Sequence, residues 1–342
     1  MKKFHKILAG MMVAVCAVSM TACGGSSSSS AATSGTAAST ASGKTYTIGV
    51  AQLMTHPAMD ASLKGFKEAL EDEGFKEGVN VTYDVQNAQG EQSNCATIAN
   101  TFANKKPDLV LAIATPAAQA VAKVITDTPV LITAVTDPAE SKLVASNEAP
   151  GKNVSGTSDK TPVKEQIDLI KEIVPNVETI GIMYCSSESN SQIQAGWAKD
   201  ACDALGIKAQ EFTVSNSNEI QQVAQSMVGK VQAVYIPTDN MLASGMKNVA
   251  AITNENKLPV IVGESGMVSN GGLCTVGINY EELGKQTGKM AAKVLRGEAK
   301  IGEMPIEYQE NYDISYNSAT AKLLGITLPE KITKGQDVSS AS

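Results

Sequence analysis

The chain of 342 residues carries 28 basic and 35 acidic side chains, a formal charge of −7 at neutral pH, and 6 cysteines. An acidic chain whose only arginine is Arg296 lacks the clustered cations that nucleic-acid binding requires. No cysteine pair has CxxC spacing, and His56 is the only histidine beyond the N-terminal segment, so the usual zinc arrangements are excluded and no metal or other cofactor is expected.

The chain opens with Lys2, Lys3 and Lys6, followed by an apolar run from Ile7 to Ala22 that is shorter than the about 20 residues of a membrane span. A basic start, a short apolar core and small residues at its end mark residues 1–22 as a secretory signal peptide. Met20-Thr21-Ala22-Cys23-Gly24 resembles the lipobox of bacterial lipoproteins, with Met20 where that motif usually has Leu or Val. The resemblance implies that Cys23 becomes the mature N-terminus and carries lipid, with palmitate among the acyl chains. Residues 23–43, almost pure Ser, Ala, Thr and Gly, then form a flexible linker with about 25 Å of reach. Losing the three leader lysines takes the formal charge from −7 to −10.

From Tyr46 onward, short β-branched runs alternate with longer amphipathic ones. The spacing predicts strands at Tyr46–Gln52, Asn80–Asn87, Leu109–Ala114 and Val130–Val135, with helices at Met59–Glu73, Gln92–Lys105 and Pro116–Thr126 between them. Near-continuous apolar strands such as Leu109–Ala114 fit a parallel sheet covered on both faces. The rhythm restarts with a helix at Pro162–Val174. Strands follow at Thr179–Tyr184, Ala209–Val214, Ala233–Ile236 and Val260–Val262, separated by helices at Ser191–Leu205, Ser217–Val228 and Met241–Glu255. A strand at Gly272–Asn279, a helix at Glu281–Leu295, an extended Pro305–Tyr316 and a helix at Ala319–Leu324 close the body, and residues 331–342 read as a loose tail. Two consecutive βαβ arrays predict an α/β protein with two Rossmann-like lobes, each built on an open parallel sheet. Cys95, Cys185, Cys202 and Cys274 read as buried free thiols, with a Cys185–Cys202 bridge as the alternative.

Several stretches resemble one family throughout the body. They are His56-Pro57-Ala58-Met59-Asp60 with Gly65, Ala114-Thr115-Pro116-Ala117-Ala118-Gln119, Thr136-Asp137-Pro138 and Ser186–Ser191. Pro237-Thr238-Asp239-Asn240, Tyr280-Glu281-Glu282-Leu283-Gly284, Leu295-Arg296-Gly297-Glu298 and Ala319-Thr320-Ala321-Lys322 complete the set. The pattern resembles the type I periplasmic binding fold of solute-binding lipoproteins of ABC importers, and within it the binding proteins for aromatic amino acids. This resemblance implies a ligand cleft between two lobes and three crossings of the chain. It places lobe one at about 44–157 plus 280–304 and lobe two at about 158–279 plus 305–330.

The physics of the fold selects positions of its own. In open α/β sheets, ligands sit beyond the carboxyl ends of the strands, where helix starts present free N–H groups. Those ends read Gln52-Leu53-Met54-Thr55, Thr115-Pro116-Ala117, Thr136-Asp137, Ser187-Glu188-Ser189-Asn190-Ser191, Thr238-Asp239-Asn240 and Glu264-Ser265. They hold hydroxyls, amides and acids with no Lys or Arg, a set that suits a zwitterion. Thr115 with the following backbone, and Asn190-Ser191, offer donors to a carboxylate; Asp239, or failing that Asp137, offers a partner for an ammonium. The ordinary use of Thr115, Asp137, Ser187 and Asn190 is to cap helices, which is compatible with ligand contact. Met54, His56 and Met59 form a candidate apolar wall, although for Met59 a place in the core is the favoured reading. Trp197, Phe66, Phe102, Tyr184 and Tyr235 read as packing residues. Without a stacking aromatic or an arginine at the strand ends, a sugar is the weaker ligand class.

No nucleophile elbow, phosphate loop or metal spacing appears, so an enzyme is not expected. A DNA-binding regulator on the same body would carry an N-terminal helix-turn-helix in place of an export signal. The expected function is an extracytoplasmic, lipid-anchored binding protein. It would close on a small zwitterion, an aromatic or large apolar amino acid, and deliver it to an ABC permease. A receptor that signals to a membrane partner is the alternative.

Overall fold

The computed structural model describes residues 43–339; the predicted signal, Cys23 with most of the linker, and residues 340–342 lie outside the described residues. The first array runs β1 (Tyr46–Gln52), α1 (Pro57–Asp72), β2 (Val81–Asn87), α2 (Gln92–Lys105), β3 (Leu109–Ile113), α3 (Thr115–Val124), β4 (Val130–Val135) and β5 (Val154–Ser158). The second runs α4 (Val163–Ile173), β6 (Thr179–Cys185), α5 (Ser189–Ala204), β7 (Lys208–Val214), α6 (Ile220–Met227), β8 (Ala233–Ile236), α7 (Asn240–Glu255), β9 (Val260–Val262), α8 (Ser265–Ser269) and β10 (Cys274–Gly277). After them come α9 (Tyr280–Leu295), β11 (Glu307–Tyr308), β12 (Asp313–Tyr316), α10 (Ser318–Leu324), α11 (Glu330–Thr333) and β13 (Gln336–Asp337).

These elements form two sheets, ordered β2-β1-β3-β4-β5-β11 and β7-β6-β8-β9-β10-β12-β13. Within each array the strands are parallel and follow the same doubly wound order, 2-1-3-4-5; only β12 runs antiparallel, against β10. Every residue of β3, β8 and β9 is buried, as parallel strands between two helical layers must be. The chain passes between the sheets three times, after β5, after β10 and after β11.

Two segments depart from the sequence reading. Glu307 and Tyr308 pair with Thr157 and Ser158 of β5, so the last crossing falls after residue 308 and not at 304/305. Residues 331–337 are not a loose tail: Ile332 is fully buried in the second lobe's core, and Gln336–Asp337 pair with β12. The four body cysteines are buried and free, which removes the Cys185–Cys202 bridge.

Although α9 follows the second sheet, it packs on α1 of the first lobe. A Cβ placed at Gly284 would lie 2.0 Å from the Ser62 carbonyl oxygen, and one at Gly65 would lie 2.0 Å from that of Glu281, so only glycine permits this approach. The contact anchors the second crossing, where Ile278, Tyr280 and Leu283 pack beside Ala58, Ala61 and Ala134 under the cleft.

Candidate ligand-binding site

The carboxyl ends of both sheets face one another across a space of about 390 Å³ counted to its open mouth. The first lobe contributes His56, Ala58 and Met59 from the start of α1, Ala134 and Thr136 from the end of β4, and Asp159, which follows β5. Tyr280 stands at the crossing. The second lobe contributes Asn190, Thr238, Asp239, Asn240 and Ala243, together with Glu264 and Met267 at the start of α8. Ala134 has a positive φ of 55° at an irregularity in the β4–β5 pairing, which turns the chain end toward the cavity.

The lobes meet around this space. Gln92 Nε2 donates to the Ser187 carbonyl at 3.3 Å, Gln119 Nε2 to Ser189 Oγ at 3.1 Å, and Ser244 Oγ to Met54 Sδ at 3.0 Å. Deeper in, Gln194 Nε2 of α5 donates to Thr136 Oγ1 at 3.0 Å.

Buried acids surround the cavity, and most are already engaged. Glu188 accepts from the backbone N–H groups of Asn240 and Met241, both at 3.1 Å, and from Asn240 Nδ2 at 2.6 Å. Asp239 caps the same helix start, accepting from Leu242 N at 2.8 Å, and its other oxygen takes Cys185 N at 2.6 Å. Glu264 accepts from Gly266 N at 2.6 Å and Met267 N at 2.7 Å. The starts of α7 and α8 are therefore occupied by the chain's own carboxyl groups. Burial raises the Asp239 carboxyl above its usual range. It also pushes Glu188 up to about 8, with the nearby Asp239 charge adding to the effect.

Asp159 differs. It is 4% exposed; Oδ2 accepts from the Tyr280 hydroxyl at 2.9 Å, while Oδ1 has no partner and the residue lines the cavity. Burial pushes its carboxyl up to about 6, against the opposing pull of the Tyr280 and Thr136 hydroxyls. Two other cavity atoms are likewise buried without a partner, His56 Nε2 and Asn190 Oδ1. His56 Nδ1 accepts from Ala58 N at 3.3 Å, which leaves the ring hydrogen on Nε2, 3.9 Å from Glu264 Oε1. The cavity thus presents a free donor, two free acceptors and an apolar surface of Ala58, Met59, Ala134, Ala243 and Met267.

Of the residues predicted from sequence, His56, Thr136, Asn190, Asp239, Asn240 and Glu264 line the cavity, and Met59 joins them. The others lie outside its lining. Gln52 braces the β1–α1 loop, donating to Met54 O at 2.8 Å and Asp60 Oδ1 at 2.7 Å. Met54 and Ser187 sit at the rim contacts already described, and Glu188 and the fully buried Ser191 lie behind the wall. Asp137 accepts from Ala139 N, Glu140 N and Asn147 Nδ2, each at 3.1 Å, and stabilises its own turn. Thr115, Pro116 and Ala117 are buried because α3 begins directly after β3, with no loop to carry them forward. Asp159 and Tyr280, with Ala134, Ala243 and Met267, were not singled out by the sequence.

A family model described as "ABC transporter substrate binding protein" matches residues 47–338. A tyrosine-binding protein of Clostridioides difficile is 41% identical over 325 residues, covering 95% of this chain and 93% of the relative. An ABC domain from Streptococcus pneumonia solved in complex with L-Trp superposes with a TM-score of 0.82 at 39% identity, covering 85% of this chain and 98% of that one. The ligand-free, open structure of a substrate binding protein with adhesive properties from Clostridium difficile is more alike in sequence, at 46%, yet superposes with a TM-score of only 0.67, covering 83% and 96%. Of these two structures, the ligand-bound relative superposes more closely, in keeping with the contacts across the cleft. The chain belongs to the ABC transporter substrate-binding protein family.

Proposed function

We propose that this member of the substrate-binding family captures an aromatic amino acid, tyrosine or tryptophan, by closure of its two lobes and passes it to an ABC permease. The observation that carries this reading is Asp159, a buried carboxylate with one oxygen free toward the cavity. A buried acid without a full set of donors is costly unless a cation completes it, and an α-ammonium does so. Asn190 Oδ1 supplies a second acceptor, and the His56 Nε2–H is a donor for the carboxylate. Met59 and Met267, one from each lobe, offer polarizable flanks to a ring. The relatives named for tyrosine and solved with L-Trp support the same ligand class.

The protein works outside the cytoplasmic membrane in this reading, tethered through lipid on Cys23. No helix among the described residues is long and apolar enough to cross a membrane. Thermal-shift and calorimetric titration across the amino acids, their decarboxylated amines and neutral sugars tests the ligand class. Tyrosine or tryptophan should bind best; stabilisation by a sugar with every amino acid inert would overturn the reading. Cys23→Ala should release the protein from the membrane fraction with binding unchanged.

A further inference from the structure

Gln194 is fully buried and outside the cavity lining, yet its amide joins the two walls. Both ends of that amide are fixed by groups with a single choice. The Thr238 backbone N–H, which can only donate, lies 3.2 Å from Oε1, and the Asn190 carbonyl, which can only accept, lies 3.4 Å from Nε2. The orientation of the amide follows from these two partners. Its two N–H bonds serve the two nearest acceptors, the hydroxyl oxygens Thr238 Oγ1 at 2.6 Å and Thr136 Oγ1 at 3.0 Å, and the longer Asn190 contact is shared.

A threonine hydroxyl has one proton, free to rotate. Once its oxygen accepts from Gln194, that proton must point elsewhere. Both threonines line the cavity, Thr136 from the first lobe and Thr238 from the second. Beside Thr238 lies the cavity itself. This arrangement supplies the donor that the starts of α7 and α8, filled by Glu188, Asp239 and Glu264, do not.

We propose that Gln194 is a positioning residue that fixes the Thr238 hydroxyl as a donor toward the carboxylate of the bound amino acid, with Thr136 held by the same amide. Because Thr136 belongs to the opposite lobe, the arrangement is complete only when the lobes are closed. The inference rests on the amino-acid reading above.

The test compares L-tyrosine and L-tryptophan with their primary amides, which keep the ammonium and the ring and lose the negative end. Binding is measured by calorimetry on the folded wild type and on Gln194→Met, which preserves length and burial. Losing a hydrogen bond to a charged group should weaken the acids by roughly tenfold to a hundredfold, with the amides changed less than about threefold. Equal loss for acid and amide would assign Gln194 a packing role only and overturn the proposal. Should Gln194→Met fail to fold, Thr238→Val, nearly isosteric and lacking the hydroxyl, must show the same acid-selective loss; unchanged acid affinity would overturn it as well. The wild-type arm separates the two readings. A wild type that binds neither amino acid refutes the proposed function, whereas one that binds acid and amide equally retains the ammonium site and refutes the role of Gln194.

Discussion

On the second lobe's wall, Glu188, Asp239 and Glu264 direct their oxygens at backbone N–H groups around the starts of α7 and α8, whereas across the cavity Asp159 keeps Oδ1 without a partner. All four acids are buried. The difference lies in the donors that each of them meets. An acid at a helix start meets several orphan N–H groups, so its oxygens find partners within the fold alone. Asp159 follows β5 and meets the Tyr280 hydroxyl and the space between the lobes. Burial of a carboxylate is therefore a structural device on one wall and a ligand-facing one on the other, and the count of available donors tells them apart.

Replacing one acid on each wall tests that contrast most directly. Asp159→Asn should weaken amino-acid binding by roughly tenfold to a hundredfold, the loss of a charge-assisted hydrogen bond, while the melting temperature holds or rises because a buried charge is gone. Asp239→Ala should do the converse. Removal of a helix cap lowers stability by about 1–2 kcal/mol, with binding by the folded fraction changed only a few-fold. Calorimetry and thermal melts on the pair decide it; a stable Asp239→Ala protein with no affinity, beside a normally binding Asp159→Asn, would reverse the two roles.

The walls should also respond oppositely to pH. With its carboxyl up at about 6, Asp159 must ionise to hold an ammonium, so affinity should be level above about pH 6 and decline below it, by at most about tenfold per pH unit. Glu188 acts on the ligand-free fold. Its native carboxyl, raised to about 8 by burial and then by the Asp239 charge, holds a proton more tightly than the unfolded chain does. Its contribution to stability is therefore fully present below the ordinary glutamate range and drains away as pH rises toward about 8. Melting of the ligand-free protein should be higher at pH 5.5 than at 8.5, and Glu188→Gln should flatten that slope.

Most of the fold was legible because its strands are short, apolar and separated by amphipathic helices. The predicted Tyr46–Gln52, Val130–Val135, Ala233–Ile236 and Val260–Val262 match the observed strands. The omission of β5 had the largest consequence. Val154-Ser155-Gly156-Thr157-Ser158 carries no apolar run, since it lies so close to β4 that a Cβ on Gly156 would fall 2.1 Å from the Ile132 carbonyl oxygen. With that strand unread, the residue after it, Asp159, was not recognised as a strand end. Tyr280 was overlooked for a similar reason, as the helix begins one residue before the expected Glu281. Asp239 was read as the partner of an ammonium and does line the cavity, but sequence alone does not show that both its oxygens are occupied; that depends on the Cys185 N–H, 54 positions away. The boundary between capping and ligand contact is set by such long-range donors, which a local pattern does not record.

The smallest expected effect lies at the rim, where neither wall's acids take part. Gln119 Nε2 reaches Ser189 Oγ at 3.1 Å in a partly buried setting, while Gln92 Nε2 reaches the Ser187 carbonyl at 3.3 Å in an exposed one. Both bonds join the lobes without lining the cavity, so they favour the closed arrangement and do not discriminate among ligands. A partly buried neutral hydrogen bond contributes about 0.5–1.5 kcal/mol, and an exposed one that competes with water contributes less. Gln119→Ala should therefore raise the dissociation constant by about twofold to tenfold, and Gln92→Ala by less than about twofold, mainly through faster release. Because the two acceptors, Ser187 and Ser189, lie two positions apart and α2 packs on α3, the double variant should depart from the product of the single effects. The ratio of tyrosine to phenylalanine affinity should stay constant through the series. A change in that ratio would mean that the rim shapes the cavity as well as holding it shut, and the contrast between the walls would then have to include the rim.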